Sequence, residues 1–198
     1  MKFCSDCGAA LSAGPAFHCS DCGRTHFVNP RLVATCLAEW QGHVLLCRRA
    51  IEPALGLWSL PGGYVEASEP IQSAAERETR EEACAVVDDL ALFRVYNLPK
   101  YNEVIAVFRG TLREGRFAVG EETSEVRLFP KRDLPWEELA FASTRAALHD
   151  YATRRWQRTY ASPVEDLVWL APPRFATGAA PLDAATSAST STAGRKRD

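Results

Sequence analysis

Glu78 and Glu82 constrain this chain more than any other pair of its residues. They lie in "GGYVEASEPIQSAAERETREEACAVV", Gly62 to Val87, where four glutamates and two arginines fall between Glu76 and Glu82. The spacing predicts a helix from about Pro70 to Ala83. At 100° per residue with Glu78 at zero, Glu82 lies at about 40° and Glu81 at about −60°. Ile71, Ala74 and Ala75 fall on the same side, at about 20°, −40° and 60°. The apolar stripe therefore turns acidic at its C-terminal end. Glu76 and Arg80 lie opposite, where they can pair in solvent, and Arg77 can pair with Glu81. Such pairing accounts for a solvated face. It does not account for like charges four apart on the inner stripe, which repel by a few tenths of a kcal/mol. Carboxylates turned towards a protein body need cations or strong donors, or they protonate. A magnesium ion meets that need, since it takes few carboxylates, keeps several waters and shares other positions with phosphate oxygens. Just upstream, Pro61-Gly62-Gly63 reads as a turn whose backbone can approach a ligand closely.

Residues 1–28 have a different texture, poor in large apolar side chains. Cys4-x-x-Cys7 and Cys19-x-x-Cys22 are each followed by glycine and separated by eleven residues, a spacing that signals tetrahedral zinc. A thioredoxin-like redox motif fits less well, because two equal pairs stand without a βαβ pattern. The zinc is expected to be structural, folding a segment too small to bury its own core. His18 and His26 flank the second pair and read as bystanders. Cys36, Cys47 and Cys84 are single and read as small apolar residues in reducing surroundings.

From Arg31 the chain becomes β-rich. "LVATCLAEW" and "HVLLCRRA" flank "QGH", a hairpin signature, and "LALFRVYNL", "EVIAVFRGTL" and "EVRLFP" read as further strands. "LPWEEL" suggests a helical turn and "FASTRAALHDYATRRWQRTY" a longer amphipathic helix. Hairpins mixed with helices favour a mixed sheet covered by helices, an α/β fold, over a purely parallel one. The expected organisation is residues 1–28 as a zinc ribbon, 31–160 as the main domain and 161–198 as an extension. From about Pro172 the composition of Ala, Ser, Thr and Pro predicts disorder. Lys and Arg total 23 against 25 Asp and Glu, so no overall field recommends nucleic acid or membrane. The ribbon, with Lys2 and Arg24 alone, offers little to track phosphates. No apolar run approaches the roughly 20 residues of a membrane span. "MKFCSDCG" lacks a secretion signal's apolar core, so the cytoplasm is expected.

Gly63, five residues, Glu69, seven residues, then Arg77-Glu78-x-x-Glu81-Glu82 resembles the Nudix box, G-x5-E-x7-R-E-U-x-E-E-x-G-U with U aliphatic. The resemblance covers Arg31 to about Tyr160 and implies a Nudix-type α/β/α sandwich preceded by the ribbon. Two positions depart from it: Thr79 replaces an aliphatic residue, and Cys84 replaces the final glycine. A left-handed turn at Cys84 would cost about 1–2 kcal/mol.

The resemblance implies hydrolysis of the diphosphate bond in a nucleoside diphosphate linked to another group. Glu78, Glu81, Glu82 and the Gly62 carbonyl would hold magnesium or manganese, while Gly63, Glu69 and Arg77 would be structural. A further carboxylate is expected from "GEETSEVRLF", with Glu122 and Glu125 as candidates for ligand or water-positioning group and a solvated acidic loop as the alternative. Arg48, Arg49 and Trp58 are candidates for substrate contact, against ordinary packing roles. Tyr64, Phe93 and Tyr96 are further stacking candidates. The layout, with "HFVNPRLV", "RRAIEP" and "PWEELAF", resembles the branch active on FAD and ADP-ribose, so a small-molecule nucleotide releasing AMP is the expected substrate. An NADH or other dinucleotide pyrophosphatase and a non-catalytic nucleotide-sensing regulator are the alternatives. The intact acids speak against the regulator. The resemblance leaves a homodimer open.

Overall fold

The computed structural model describes residues 2–11, 16–153 and 164–166. In chain order the elements are β1 (Ala16–His18), β2 (Thr25–Phe27), β3 (Arg31–Trp40), β4 (His43–Arg49), β5 (Trp58–Ser59), β6 (Gly62–Tyr64) and α1 (Ile71–Ala83). They continue as β7 (Val87–Leu98), β8 (Glu103–Leu112), β9 (Thr123–Pro130), α2 (Ala142–Thr153) and β10 (Val164–Asp166). Short 3-10 turns at Pro99–Tyr101 and Trp136–Glu138 mark the two connections where proline had punctuated the sequence.

The long strand β3 organises one mixed sheet. It pairs antiparallel with β4 and β6 and parallel with β8. β7 lies antiparallel on β8, β10 parallel on β7, and both β5 and β9 antiparallel on β4. The β3–β4 hairpin turns at Gln41 and Gly42, whose φ values of 47° and 79° give the twist a two-residue hairpin prefers. β1 and β2 form a separate two-stranded ribbon. β5 and β6 are strands that the sequence had not revealed, because "LWSLPGG" carries no alternation.

Period-two alternation on β3 and β4 sorts their side chains between two cores. Leu37, Val44 and Leu46 face α2, packing with Ala147, Leu148 and Tyr151. Ala34, Cys36, Ala38, Leu45 and Cys47 face α1, packing with Ala74, Ala75 and Ala83. The fold is thus an α/β/α sandwich with a mixed sheet. Small residues line both sides of the α1 interface, so this helix comes close to the sheet. Cys36 and Cys47 are almost fully buried there, and burial pushes the Cys36 thiol up to about 12 and Cys47 higher still. On the other face the buried Arg94–Asp150 pair, 2.6 Å apart, pins α2 to β7. The amphipathic stretch continues past Thr153 in the sequence, but residues 154–163 lie outside those described, as do residues 167–198. Within the extension, Val164–Asp166 add an edge strand to the sheet.

Helix α1 ends as its odd cysteine requires. Thr79 is fully buried and its hydroxyl donates to the Ala75 carbonyl at 2.6 Å, so a polar β-branched residue fills the aliphatic position with its hydrogen bond satisfied. Cys84 adopts φ 46° and ψ 32°, the left-handed conformation, and its N–H reaches back to the Thr79 carbonyl. A side chain there carries a steric cost that glycine avoids. Cys84→Gly is expected to raise unfolding stability by about 1 kcal/mol, net of glycine's greater unfolded-state entropy. A urea midpoint shifted upward with an unchanged slope would show it.

Candidate active site

The site forms where β6 meets α1. Gly62 and Gly63 sit on β6 against Thr35 and Ala34 of β3, and neither position has room for a side chain. A Cβ on Gly62 would lie 2.5 Å from the Ala34 carbonyl oxygen; one on Gly63 would lie 2.5 Å from Glu78 Oε1. Gly63 is therefore the space in which the Glu78 carboxylate rests. The Gly62 N–H donates to Glu82 Oε2 at 3.3 Å.

Arg77 holds the surrounding loop together. Its Nε and Nη2 fork onto Glu69 at 2.9 and 3.0 Å, Nη2 also donates to the Tyr64 carbonyl at 3.2 Å, and Nη1 reaches Glu78 at 2.7 Å and Glu81 at 3.1 Å. Glu69 also accepts the Glu66 N–H, so the loop between β6 and α1 closes on itself. Hydrogen bonding to Arg77 holds the Glu69 carboxyl below its usual range.

The three box acids occupy different surroundings. Glu82 is 8% exposed. Burial pushes its carboxyl up to about 7; the Gly62 N–H and Arg49 oppose this, while Glu78 and Glu122 add repulsion. Glu78, with a side chain 14% exposed, is also raised by burial, with Arg77 opposing and Glu81 and Glu122 repelling. Glu81 stands at the rim, 59% exposed. Among the described residues, these carboxylates do not close into a ready-made cage. That suits magnesium or manganese, which keep waters and bind substrate phosphate, better than an ion needing a complete protein shell.

The later acids part company. Glu122 is exposed, lies two residues after Gly120 in the loop before β9, and adds to the repulsion felt at Glu78 and Glu82. Its carbonyl accepts the Ala50 N–H at 2.9 Å. Glu125 is instead engaged by Arg48 at 3.5 Å and Arg127 at 2.9 Å. Glu121 is exposed and has no role in this geometry.

The adjacent arginines also diverge, because the pairing of β4 with β9 shifts register between Arg48 and Arg49. Arg48 donates to the Gly56 carbonyl and pairs with Glu125 and Glu138, so its nitrogens are committed to the protein. Arg49 donates Nε to the Pro53 carbonyl and lies over the Phe141 ring, yet its charge is felt at Glu82. Trp58 is a core residue, 3% exposed, edge-on to Phe129 and flanked by Arg48 and Arg127. Phe93 and Tyr96 are likewise buried, while Tyr64 is half exposed with Arg31 over its ring.

At the N-terminus, Cys4, Cys7, Cys19 and Cys22 bring their sulfurs within 4.8 Å of one another, and all seven cysteines are free of disulfides. The Cys4–Cys22 and Cys7–Cys19 separations, 3.6 and 3.5 Å, are close to the roughly 3.8 Å edge of a tetrahedron of thiolates around zinc. His26 is buried with Nε2 3.1 Å from Cys4 Sγ, a contact to the ligand rather than a ligand position. The cluster shares its protons unequally: backbone hydrogen bonds at Cys7 and Asp6 hold the Cys4 thiol down to about 6, while Cys7, despite a backbone hydrogen bond at Ala9, is pushed up to about 12 by the Cys19 sulfur and by burial.

A mixed sheet between two helices, with this loop and acidic helix at its edge, defines the Nudix fold. Residues 29–151 match the NUDIX domain, and the chain belongs to the Nudix hydrolase family. The crystal structure of a NUDIX hydrolase from Nitrosomonas europaea has a TM-score of 0.76 and 37% sequence identity, covering 84% of this chain and 99% of that one. ADP-ribose pyrophosphatase of Methanocaldococcus jannaschii is 28% identical over 135 residues, 66% of this chain and 77% of that protein. NAD-capped RNA hydrolase NudC of Stutzerimonas stutzeri is 27% identical over 162 residues, 79% of this chain but only 58% of that protein. No described helix is long and apolar enough to cross a membrane.

The burial of Glu82 has a consequence in the metal-free protein. Its folded pKa, about 7, lies above the ordinary 4.5, so between these values the native state holds a proton that the unfolded chain has released. Stability is therefore expected to fall as pH rises through that window, by about 2–3 kcal/mol. Glu82→Gln should remove that part of the slope and be the more stable protein at pH 8 without divalent ions. Urea unfolding in chelator at pH 5 and pH 8 measures it, and parallel slopes for the two proteins would contradict it.

Proposed function

We propose that this protein hydrolyses the diphosphate bond of an ADP-containing dinucleotide or nucleotide sugar, ADP-ribose or FAD first, releasing AMP. The observation that carries the reading is the burial of Glu82, with Glu78 half-buried beside it against the Gly62–Gly63 strand, and too few cations among the described residues to balance them. Glu78, Glu81, Glu82 and the Gly62 carbonyl are the oxygens that fit magnesium or manganese. A metal held by these oxygens would supply neutralisation of the diphosphate charge and a lowered pKa for an attacking water. The chain's own residues do the rest. Arg77 and Glu69 fix the loop, the Gly62 N–H orients Glu82, Glu122 accepts the proton of the attacking water, and Arg49 takes a phosphate oxygen. Water adds to one phosphorus, the P–O–P bridge breaks at that atom, and two phosphate monoesters separate, one of them AMP. Arg48, Glu125 and Trp58 serve by shaping the wall beside Arg49.

Likeness to the archaeal ADP-ribose pyrophosphatase supports ADP-ribose. Likeness to NudC supports a second reading, an NAD-containing substrate, over a shorter share of that protein. The ribbon cysteines fit one structural zinc, which would hold the N-terminal knuckles together without entering the reaction.

A panel of ADP-ribose, FAD, NADH, diadenosine compounds and nucleoside triphosphates with magnesium, read by chromatography, separates these choices. AMP with ribose phosphate from ADP-ribose, or AMP with FMN from FAD, is the expected result; exclusive cleavage of triphosphates would overturn it. Glu82→Gln is expected to lose magnesium-dependent turnover by at least about 100-fold while keeping its fold. Metal analysis of the same preparations should find about one zinc per chain, lost on Cys19→Ser.

A further inference from the structure

The loop carrying Glu122 lies directly on the last turn of α1, and one residue makes this contact possible. A Cβ on Gly120 would stand 1.8 Å from the Glu81 carbonyl oxygen and 2.9 Å from the Glu82 carbonyl carbon. Those are backbone atoms of the helix, which cannot swing aside as a side chain would. Gly120 is not among the residues with positive φ, so its backbone conformation is open to any residue. Space alone demands the glycine.

Two backbone hydrogen bonds run through the same contact. The Gly120 N–H donates to the Glu82 carbonyl at 3.1 Å and the Ala118 N–H to the Ala83 carbonyl at 2.8 Å. Helix C-terminal carbonyls lack intrahelical partners, and here a distant loop supplies them. Cys84 joins in from the helix side, its thiol 3.7 Å from the Val119 carbonyl. The loop is also closed internally, Thr123 N–H to Gly120 carbonyl at 3.2 Å, and tied to β4 through Ala50 N–H and the Glu122 carbonyl. Glu122 thus hangs between two anchors, and the one facing the box acids is Gly120.

We propose that Gly120 is a positioning residue for the hydrolysis: by letting residues 118–120 latch onto the carbonyls of Glu82 and Ala83, it sets where Glu122 stands relative to Glu78 and Glu82. The inference rests on the reading that Glu122 takes part in the reaction. A methyl group at position 120 has to displace the loop from the helix by about an ångström or more, and such a misplacement of a reacting group costs on the order of 100-fold in rate.

Turnover of ADP-ribose, or of the best substrate in the panel, is compared for the parent protein, Gly120→Ala, Glu122→Gln and the double variant, all as full chains with magnesium. Gly120→Ala is expected to lower kcat by about 10- to 100-fold with KM changed less than about twofold. The double variant is expected to be no slower than Glu122→Gln, because Gly120 acts only through Glu122. Parent-like kcat in Gly120→Ala beside an impaired Glu122→Gln would overturn the latch alone. Multiplying losses in the double variant would also overturn it. A fully active Glu122→Gln would instead sink the catalytic reading of Glu122. Should Gly120→Ala fail to fold, hydrogen exchange on the parent protein decides: the Ala118 and Gly120 amides are expected to exchange as slowly as those of the last turn of α1. Amides that exchange at the rate of open loop would overturn the proposal.

Discussion

One carboxylate is buried and a second half-buried at the end of an apolar helix face, and most of the remaining architecture serves to keep them there. Glu78 and Glu82 lie one turn apart on the side of α1 that packs on the sheet. Each is raised above the usual carboxylate range by burial, and each repels the other. A fold that merely wanted stability would place alanine at both positions. The sheet instead gives them a glycine strand, in which Gly63 leaves room for one carboxylate and the Gly62 N–H meets the other. This is stability given up at one point of the structure, and it is offset by the apolar layers on both faces of the sheet.

Arg77 shows how the offset is arranged locally. One guanidinium meets Glu69 through a fork, Glu78 and Glu81 through a third nitrogen, and the Tyr64 carbonyl. Lysine offers a single ammonium and cannot make the planar two-pronged contact while also spanning to the other acids. Placing the cation on the loop side of Glu78, rather than beside Glu82, leaves the deeper carboxylate with one N–H and the distant charge of Arg49. The electrostatic deficit is therefore concentrated at Glu82.

The inner face of α1 was legible in the sequence because helical geometry depends only on spacing. Ala74, Ala75 and Glu82 fall on the buried side that 100° steps assign them. The long strands were legible for the same reason, since alternation in "LVATCLAEW" and "EVIAVFRGTL" is local. Contacts between distant segments were not. β6 is two glycines and a tyrosine, without apolar alternation, and is a strand only because β3 lies beside it. Trp58 near a glycine loop reads more readily as core than as a stacking platform, but its partner, Phe129 on β9, comes from a distant segment that the sequence does not place. Gly120 looks like any loop glycine until the Glu81 carbonyl is brought within 1.8 Å of its missing side chain.

Arg48 and Arg49 show how local irregularity can separate two identical neighbours. In a regular strand adjacent side chains point to opposite faces, so one of the pair would be lost to the solvent edge. The pairing with β9 also shifts register between these two residues, which frees each to find its own partners. Arg48 is thereby committed to Glu125, Glu138 and the Gly56 carbonyl, while Arg49 stays close enough to Glu82 to be felt by it. Glu125 and Glu138 hold Arg48 in the wall, and no described carboxylate forms an ion pair with Arg49. An arginine that neutralised Glu82 outright would compete with a divalent ion for the same charge. One tied back through Nε to the Pro53 carbonyl keeps its charge near the acids without quenching them.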